Sequence, residues 1–198
     1  TIFIECGAMF KVDGPEELRP IGETEFVNGI AAMSASGLYG PTKAVAGIID
    51  TAYCWLGDAV ADVLDKQIVA AGGRFRGIRQ GGAWHESAGV PNHRTAPSPT
   101  MYLDAKFREG FKHLAPRGLT FEGWCYHTQI EALTDLARAF PETTIILDHF
   151  GGPVGVGPYA GKADEVFAAW KKAMAPIAAF ENVVAKLGGI KMAVNGFA

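Results

Sequence analysis

Six short runs rich in apolar and β-branched residues alternate with five longer runs of helical spacing, and this alternation limits the fold most sharply. The β-rich runs are Thr1–Cys6, Lys43–Ile49, Phe75–Arg79, Leu119–His127, Thr143–His149 and Val183–Leu187. Helical runs fill the gaps: from Gly22 to Ser36-Gly37, from Gly57-Asp58 to Ala71, then Leu103–Ala115, Gln129–Phe140 and Ala163–Phe180. The second is the clearest, with Val60, Val63, Leu64 and Ile68 on one face and Asp62, Asp65 and Lys66 on the other. In the last, Pro176 predicts a kink or an early end. Strand and helix in strict alternation mean βαβ units and a parallel sheet. Two topologies satisfy that: an open doubly wound sheet or a (β/α) barrel. The stretch 81–100 has neither period; its Gly81, Gly82, Pro91, Pro97 and Pro99 mark a long binding loop or lid.

Bulk properties remove several classes of function. At 198 residues, 48% hydrophobic and 20% charged, the chain is one globular domain with a sizeable core. A net charge of -3 with scattered Lys and Arg gives no case for nucleic acid or an anionic membrane surface. No apolar stretch has transmembrane length and no signal-peptide pattern opens the chain. Cys6, Cys54 and Cys125 are odd in number and far apart, which fits reduced thiols in a cytoplasmic setting. No G-x-G-x-x-G follows a strand, and no Walker motif occurs. The chain lacks an initiator Met, opens inside a strand and stops soon after another. Residues 1–198 therefore read as a single, truncated domain whose free sheet edges would favour a homo-oligomer.

In a parallel sheet the C-terminal strand ends share one face, where α/β folds place chemistry. Those ends carry Glu5-Cys6, Asp50-Thr51, Arg79-Gln80, Tyr126-His127, Asp148-His149 and Lys186. A histidine titrates near neutrality and can also bind a metal, so His127 and His149 are the leading catalytic candidates. Strand alternation groups His149 with Ile145 and Leu147, Asp148 with Ile146, and His127 with Gly123 and Cys125. The expectation is that both histidines point into the mouth. Asp148 would then face the helices and cap the Gly151-Gly152 turn. Arg79 can hold a substrate anion through its planar fork, and Gln80 is an alternative substrate contact. Glu5 serves as a base or a structural partner. His85-Glu86 is half of a zincin motif without its second histidine, and His93 and His113 read as solvated.

Six segments occur in a telling order: I-E-C-G-A-M at 4–9, P-E-E-L-R-P at 15–20, F-R-G-I-R at 75–79, Y-H-T-Q at 126–129, L-D-H-F-G-G-P at 147–153 and K-L-G-G at 186–189. Together they resemble the amidohydrolase-related (amidohydrolase 2) family of TIM-barrel hydrolases. The resemblance implies a partial (β/α)8 barrel whose six strands are the second to the seventh. It makes His127 the fifth-strand histidine and a candidate metal ligand, His149 the sixth-strand histidine, and Arg79 a fourth-strand arginine near the substrate. The family's first-strand H-x-H and eighth-strand Asp have no counterpart here. Gln80 stands where relatives often have His, and Thr128 where Pro commonly follows the His. No Lys ends the fourth strand, so one divalent metal such as zinc, or none, is implied in place of a carboxylated-Lys dinuclear centre. The implied activity is hydrolysis of a small carboxylate-bearing lactone. A zinc-dependent decarboxylase and a non-catalytic partial barrel are the alternatives.

Overall fold

The computed structural model describes residues 1–196. One sheet contains β1 (Ile2–Ile4), β2 (Gly47–Asp50), β3 (Phe75–Arg79), β4 (Thr120–Gly123), β5 (Ile145–Leu147) and β6 (Val183–Ala185). Every neighbouring pair is parallel, and the strands lie side by side in chain order. A doubly wound sheet reverses its order at a switch point. This one does not, so the arrangement is six consecutive strands of a (β/α)8 barrel with the five helices between them. Between the strands run α1 (Ile21–Ala35), α2 (Val60–Ala70), α3 (Ala105–Phe111), α4 (Ile130–Ala139) and α5 (Ala163–Ile177). No helix among the described residues is long and apolar enough to cross a membrane.

Several strands are shorter than their sequence runs. Thus β4 stops at Gly123 and β5 at Leu147, which leaves His127, Asp148 and His149 on the turns that follow. Beyond Gly123 the backbone pairs with the long loop instead, as Gly82 N–H donates to the Trp124 carbonyl (2.8 Å). Helix α5 ends one residue after Pro176, the early end which that proline predicts.

Register shows which face is which. Ile78, Phe121 and Ile145 are lateral neighbours, all fully buried against the helices. Phe121 meets the rings of Phe107 and Phe111 of α3 at 6.0 and 5.1 Å, a tilted aromatic cluster that anchors the helical layer. The opposite face carries Arg79, Glu122, Ile146 and Val184 in lateral register. That face is the barrel interior, and it is polar towards its C-terminal rim.

A buried polar link ties α1, β2 and α2 together on the helical side. Thr24 Oγ1 lies 2.5 Å from Asp50 Oδ2 and also within reach of Gln67 Oε1. Gln67 Nε2 donates to the Thr51 carbonyl (3.0 Å), which fixes the amide's orientation. Thr24 Oγ1 has a single hydroxyl proton to share between these two acceptors. Burial, reinforced by the nearby Glu23 carboxyl, pushes the Asp50 pKa up to about 8, against the hydrogen bonds from Thr24 and Thr51. Because the folded value lies above the unfolded value of about 3.9, the contribution of this group to stability is full below about pH 4 and is lost as pH rises towards and through 8. The limiting slope for this group is about 1.4 kcal/mol per pH unit. Asn at this position keeps the donor without the charge. Urea unfolding of Asp50→Asn between pH 5 and 8 should show that part of the slope removed; an unchanged slope would mean Asp50 is not the buried acid.

Candidate active site

The rim of the interior face is built from a chain of alternating charges. Arg94, from the long loop, pairs with Glu5 at the end of β1. Glu5 also accepts from Arg79 Nε (2.7 Å), and its carbonyl accepts from Arg79 Nη2 (2.7 Å). The third guanidinium nitrogen, Nη1, stands 3.6 Å from Asp148 Oδ2. Lys186, following β6, lies 2.9 Å from Asp148 Oδ1 and also pairs with Glu122 on β4. Three cations and three carboxylates thus link the ends of β1, β3, β4, β5 and β6. Asp148 is fully buried and Glu122 and Glu5 nearly so, whereas the Arg94 side chain is about half exposed (47%). Burial and the Asp148 charge raise the Glu122 pKa, opposed by Lys186.

This geometry reverses the expected roles of two neighbours. Asp148 continues the inward face of Ile146 and joins the charge chain, where a helix-facing turn cap was expected. Its two oxygens take no hydrogen bond among the described residues and are held by Arg79 and Lys186 as ion pairs. His149 follows the parity of Leu147, which packs outward, and is brought back by an unusual turn. His149 (φ 50) and Phe150 (φ 57) are both left-handed, followed by Gly151 (φ 70) and Gly152 (φ 50). Two consecutive non-glycine residues in this region store about 1–3 kcal/mol each. The His149 ring packs edge-on to Trp124 (5.0 Å). Its Nδ1 is buried without a well-formed hydrogen bond, against a Gly189 (φ 71) that has no room for a Cβ. Burial holds the His149 pKa below its usual value, opposed by Asp148 and the Gly188 backbone, so the ring is neutral at pH 7.

His127 is buried beneath the 152–154 turn, whose Val154 N–H donates to its Nδ1 (3.3 Å). Burial lowers its pKa, with the Gly152 backbone opposing and His85 adding to the shift. Tyr159 stands edge-on to both His127 (5.2 Å) and His85 (5.4 Å). Gln80 does not reach the mouth: it is fully buried, its Oε1 accepts from Cys54 N–H (2.6 Å), and its amide nitrogen faces the Met101 sulfur. A buried amide needs its partners, and Gln80 finds them on the helical side. His93 is not solvated either, since its ring covers Gly81 and its pKa is lowered by burial and by Arg79. His113 pairs with Asp58 (2.7 Å).

Three residues that the sequence reading did not single out complete the site. Arg94 is the accessible guanidinium of the rim, and Glu122 is the carboxylate beneath Lys186. Gln129 staples the long loop to β4: its Nε2 donates to the Gly82 carbonyl (2.8 Å) and its Oε1 accepts from Trp84 and Tyr126 N–H. The one available signal for Gln129 was its place in Y-H-T-Q.

The described residues do not by themselves supply a zinc site. Zinc needs three or four converging N, S or O ligands. Among the described residues no three His, Cys, Asp or Glu side chains converge on one point. The His127 Nδ1 is engaged by Val154, and the charge of Asp148 is met by Arg79 and Lys186.

Fold and rim define an α/β-barrel unit with an ionisable mouth, and comparison with known proteins places it. The amidohydrolase family model matches residues 44–197. The chain belongs to the amidohydrolase family. It is 34% identical over 179 residues to the uncharacterized protein y4mH of Sinorhizobium fredii, covering 90% of this chain and 53% of that one. The chain therefore spans about half the length of the curated relative it matches. Two crystal structures of an amidohydrolase from Burkholderia multivorans share the fold. The one with bound zinc has a TM-score of 0.62 at 21% identity, over 85% of this chain and 50% of that one. The one with bound HEPES has a TM-score of 0.58 at 19% identity, over 82% and 49%.

The charge chain makes a stability prediction. Lys186→Met leaves Asp148 and Glu122 buried with one shared cation fewer, at a cost of about 3–5 kcal/mol for a broken buried pair. Urea unfolding measures it; a loss no larger than a surface pair's, under about 1 kcal/mol, would show the network to be dispensable.

Proposed function

We propose that the protein hydrolyses a small lactone bearing a carboxylate, with His149 as the general base. The supporting observation is the strained turn, in which two left-handed non-glycine residues hold a neutral imidazole beside the rim. Strain of this kind persists where the surrounding structure enforces it, and it concentrates at working sites. With Nδ1 turned against the Gly188-Gly189 backbone, Nε2 is the nitrogen left to take a proton from water. Hydroxide oxygen adds to the lactone carbonyl carbon as that proton moves to His149. The carbonyl electron pair shifts to oxygen and returns as the ring C–O bond breaks. The leaving alkoxide takes a proton, and a hydroxy acid results. The His149 imidazolium returns its proton to the leaving oxygen, while His127, whose Nδ1 accepts from Val154, carries its own proton on Nε2 and donates a hydrogen bond to that oxygen. Arg94, with Arg79 behind it, attracts the substrate's carboxylate.

The variant for this test is His149→Asn, because Asn tolerates the left-handed backbone better than most other non-glycine residues and so preserves the turn. Removal of a well-placed base costs about 10²–10⁴ in kcat. Hydrolysis of a panel of carboxylated γ- and δ-lactones, followed by proton release, is the measurement. A variant that turns over at the wild-type rate would remove His149 from the chemistry.

A further inference from the structure

Two loops that are distant in sequence meet beside His127, and their contact leaves one hydroxyl proton unspent. His85 belongs to the long loop after β3, and Tyr159 to the loop after β5. Ser87 N–H donates to His85 Nδ1 (3.0 Å). A ring that accepts at Nδ1 is neutral and carries its proton on Nε2. His85 Nε2 lies 3.2 Å from the Tyr159 hydroxyl oxygen, so the imidazole N–H donates to the phenol. Tyr159 is the acceptor in that bond, and its own O–H proton has no acceptor among the described residues. A phenol that accepts one hydrogen bond becomes a stronger donor of its own, because the bonds polarise one another.

The position of this hydroxyl gives the proton a use. The Tyr159 ring lies edge-on against His127, and it lines a cleft of about 580 Å³ together with Phe150, the residue that follows His149. His127 therefore borders the residue that holds the free donor, and the neighbour of His149 shares its cleft. From this geometry we infer that Tyr159 is the oxyanion donor of the site and His85 its positioning residue. The inference rests on the hydrolytic reading above. As water adds to the carbonyl carbon, the electron pair moving onto the carbonyl oxygen is met by the Tyr159 O–H, which remains bonded to its own proton throughout. His85 holds the phenol oxygen from the other side and exchanges no proton. Donors aimed at developing charge stabilise the transition state more than the ground state.

Tyr159→Phe removes the donor and keeps the ring. It should lower kcat on the lactone panel by roughly 10²–10³-fold, with KM nearly unchanged. His85→Leu should produce a smaller loss, and His85→Gln, whose amide can still donate, should recover part of it. In the wild type, ¹⁵N NMR of the His85 ring should show the proton on Nε2. A binding measurement keeps the test independent of turnover. Methylphosphonate, a tetrahedral oxyanion, should bind the wild type and lose about 10- to 100-fold in affinity in Tyr159→Phe, as followed by ³¹P NMR. If Tyr159→Phe keeps wild-type turnover while His149→Asn does not, the inference fails and the hydrolytic reading stands. If the wild type is inert towards lactones, that reading fails and methylphosphonate decides: equal binding by wild type and Tyr159→Phe, or none by either, overturns the donor role.

Discussion

The ends of five of the six strands are held together by charge. Arg94, Glu5, Arg79, Asp148, Lys186 and Glu122 alternate in sign across the interior rim, and Asp148 and Glu122 have almost no contact with solvent. Carboxylates this buried are stable only beside cations, since the desolvation cost of a lone ion is several kcal/mol. Each member therefore depends on the next. The interior face of a barrel sheet has no helices to pack against, and in this chain a charged rim takes the part that packed aromatic rings take on the outer face.

The same rim explains why the turn after β5 is so constrained. Asp148 must point inward to meet Arg79 and Lys186, and by the pleat of the strand its neighbour must then point away. The chain returns His149 to the mouth only by entering left-handed space for two residues, and Gly151 and Gly152 complete the reversal at little cost. Gly189 closes the arrangement from the β6 side by leaving room for the imidazole. In this view L-D-H-F-G-G-P and K-L-G-G are two halves of one device for presenting a neutral histidine.

How much of this could be read from the sequence follows from which signals are local. Six strands, five helices and their parallel order were legible, because apolar runs and helical spacing are properties of single segments. The identity of the rim residues was also legible, since all but Arg94 and Glu122 stand at or next to a strand end. Which of Asp148 and His149 faces inward was not. Alternation separates the two faces of a strand but does not label them, and T-T-I-I-L is apolar on both. Gln80 misled for a similar reason: an amide at a strand end is equally suited to a ligand or to a buried backbone N–H, and Cys54 claims it. Arg94, His85 and Tyr159 sit on loops without period, so their partners become visible only when the loops meet.

The central claim is that the rim is a coupled network and not a set of separate pairs. A double-mutant cycle on Glu5→Gln and Lys186→Met, which are linked only through Arg79 and Asp148, read by urea unfolding, tests it most directly. Residues in one ion-pair network couple by about 0.5–3 kcal/mol even without direct contact, whereas separate pairs add. The account predicts a coupling energy above about 1 kcal/mol; additive losses, with coupling below about 0.3 kcal/mol, would contradict it.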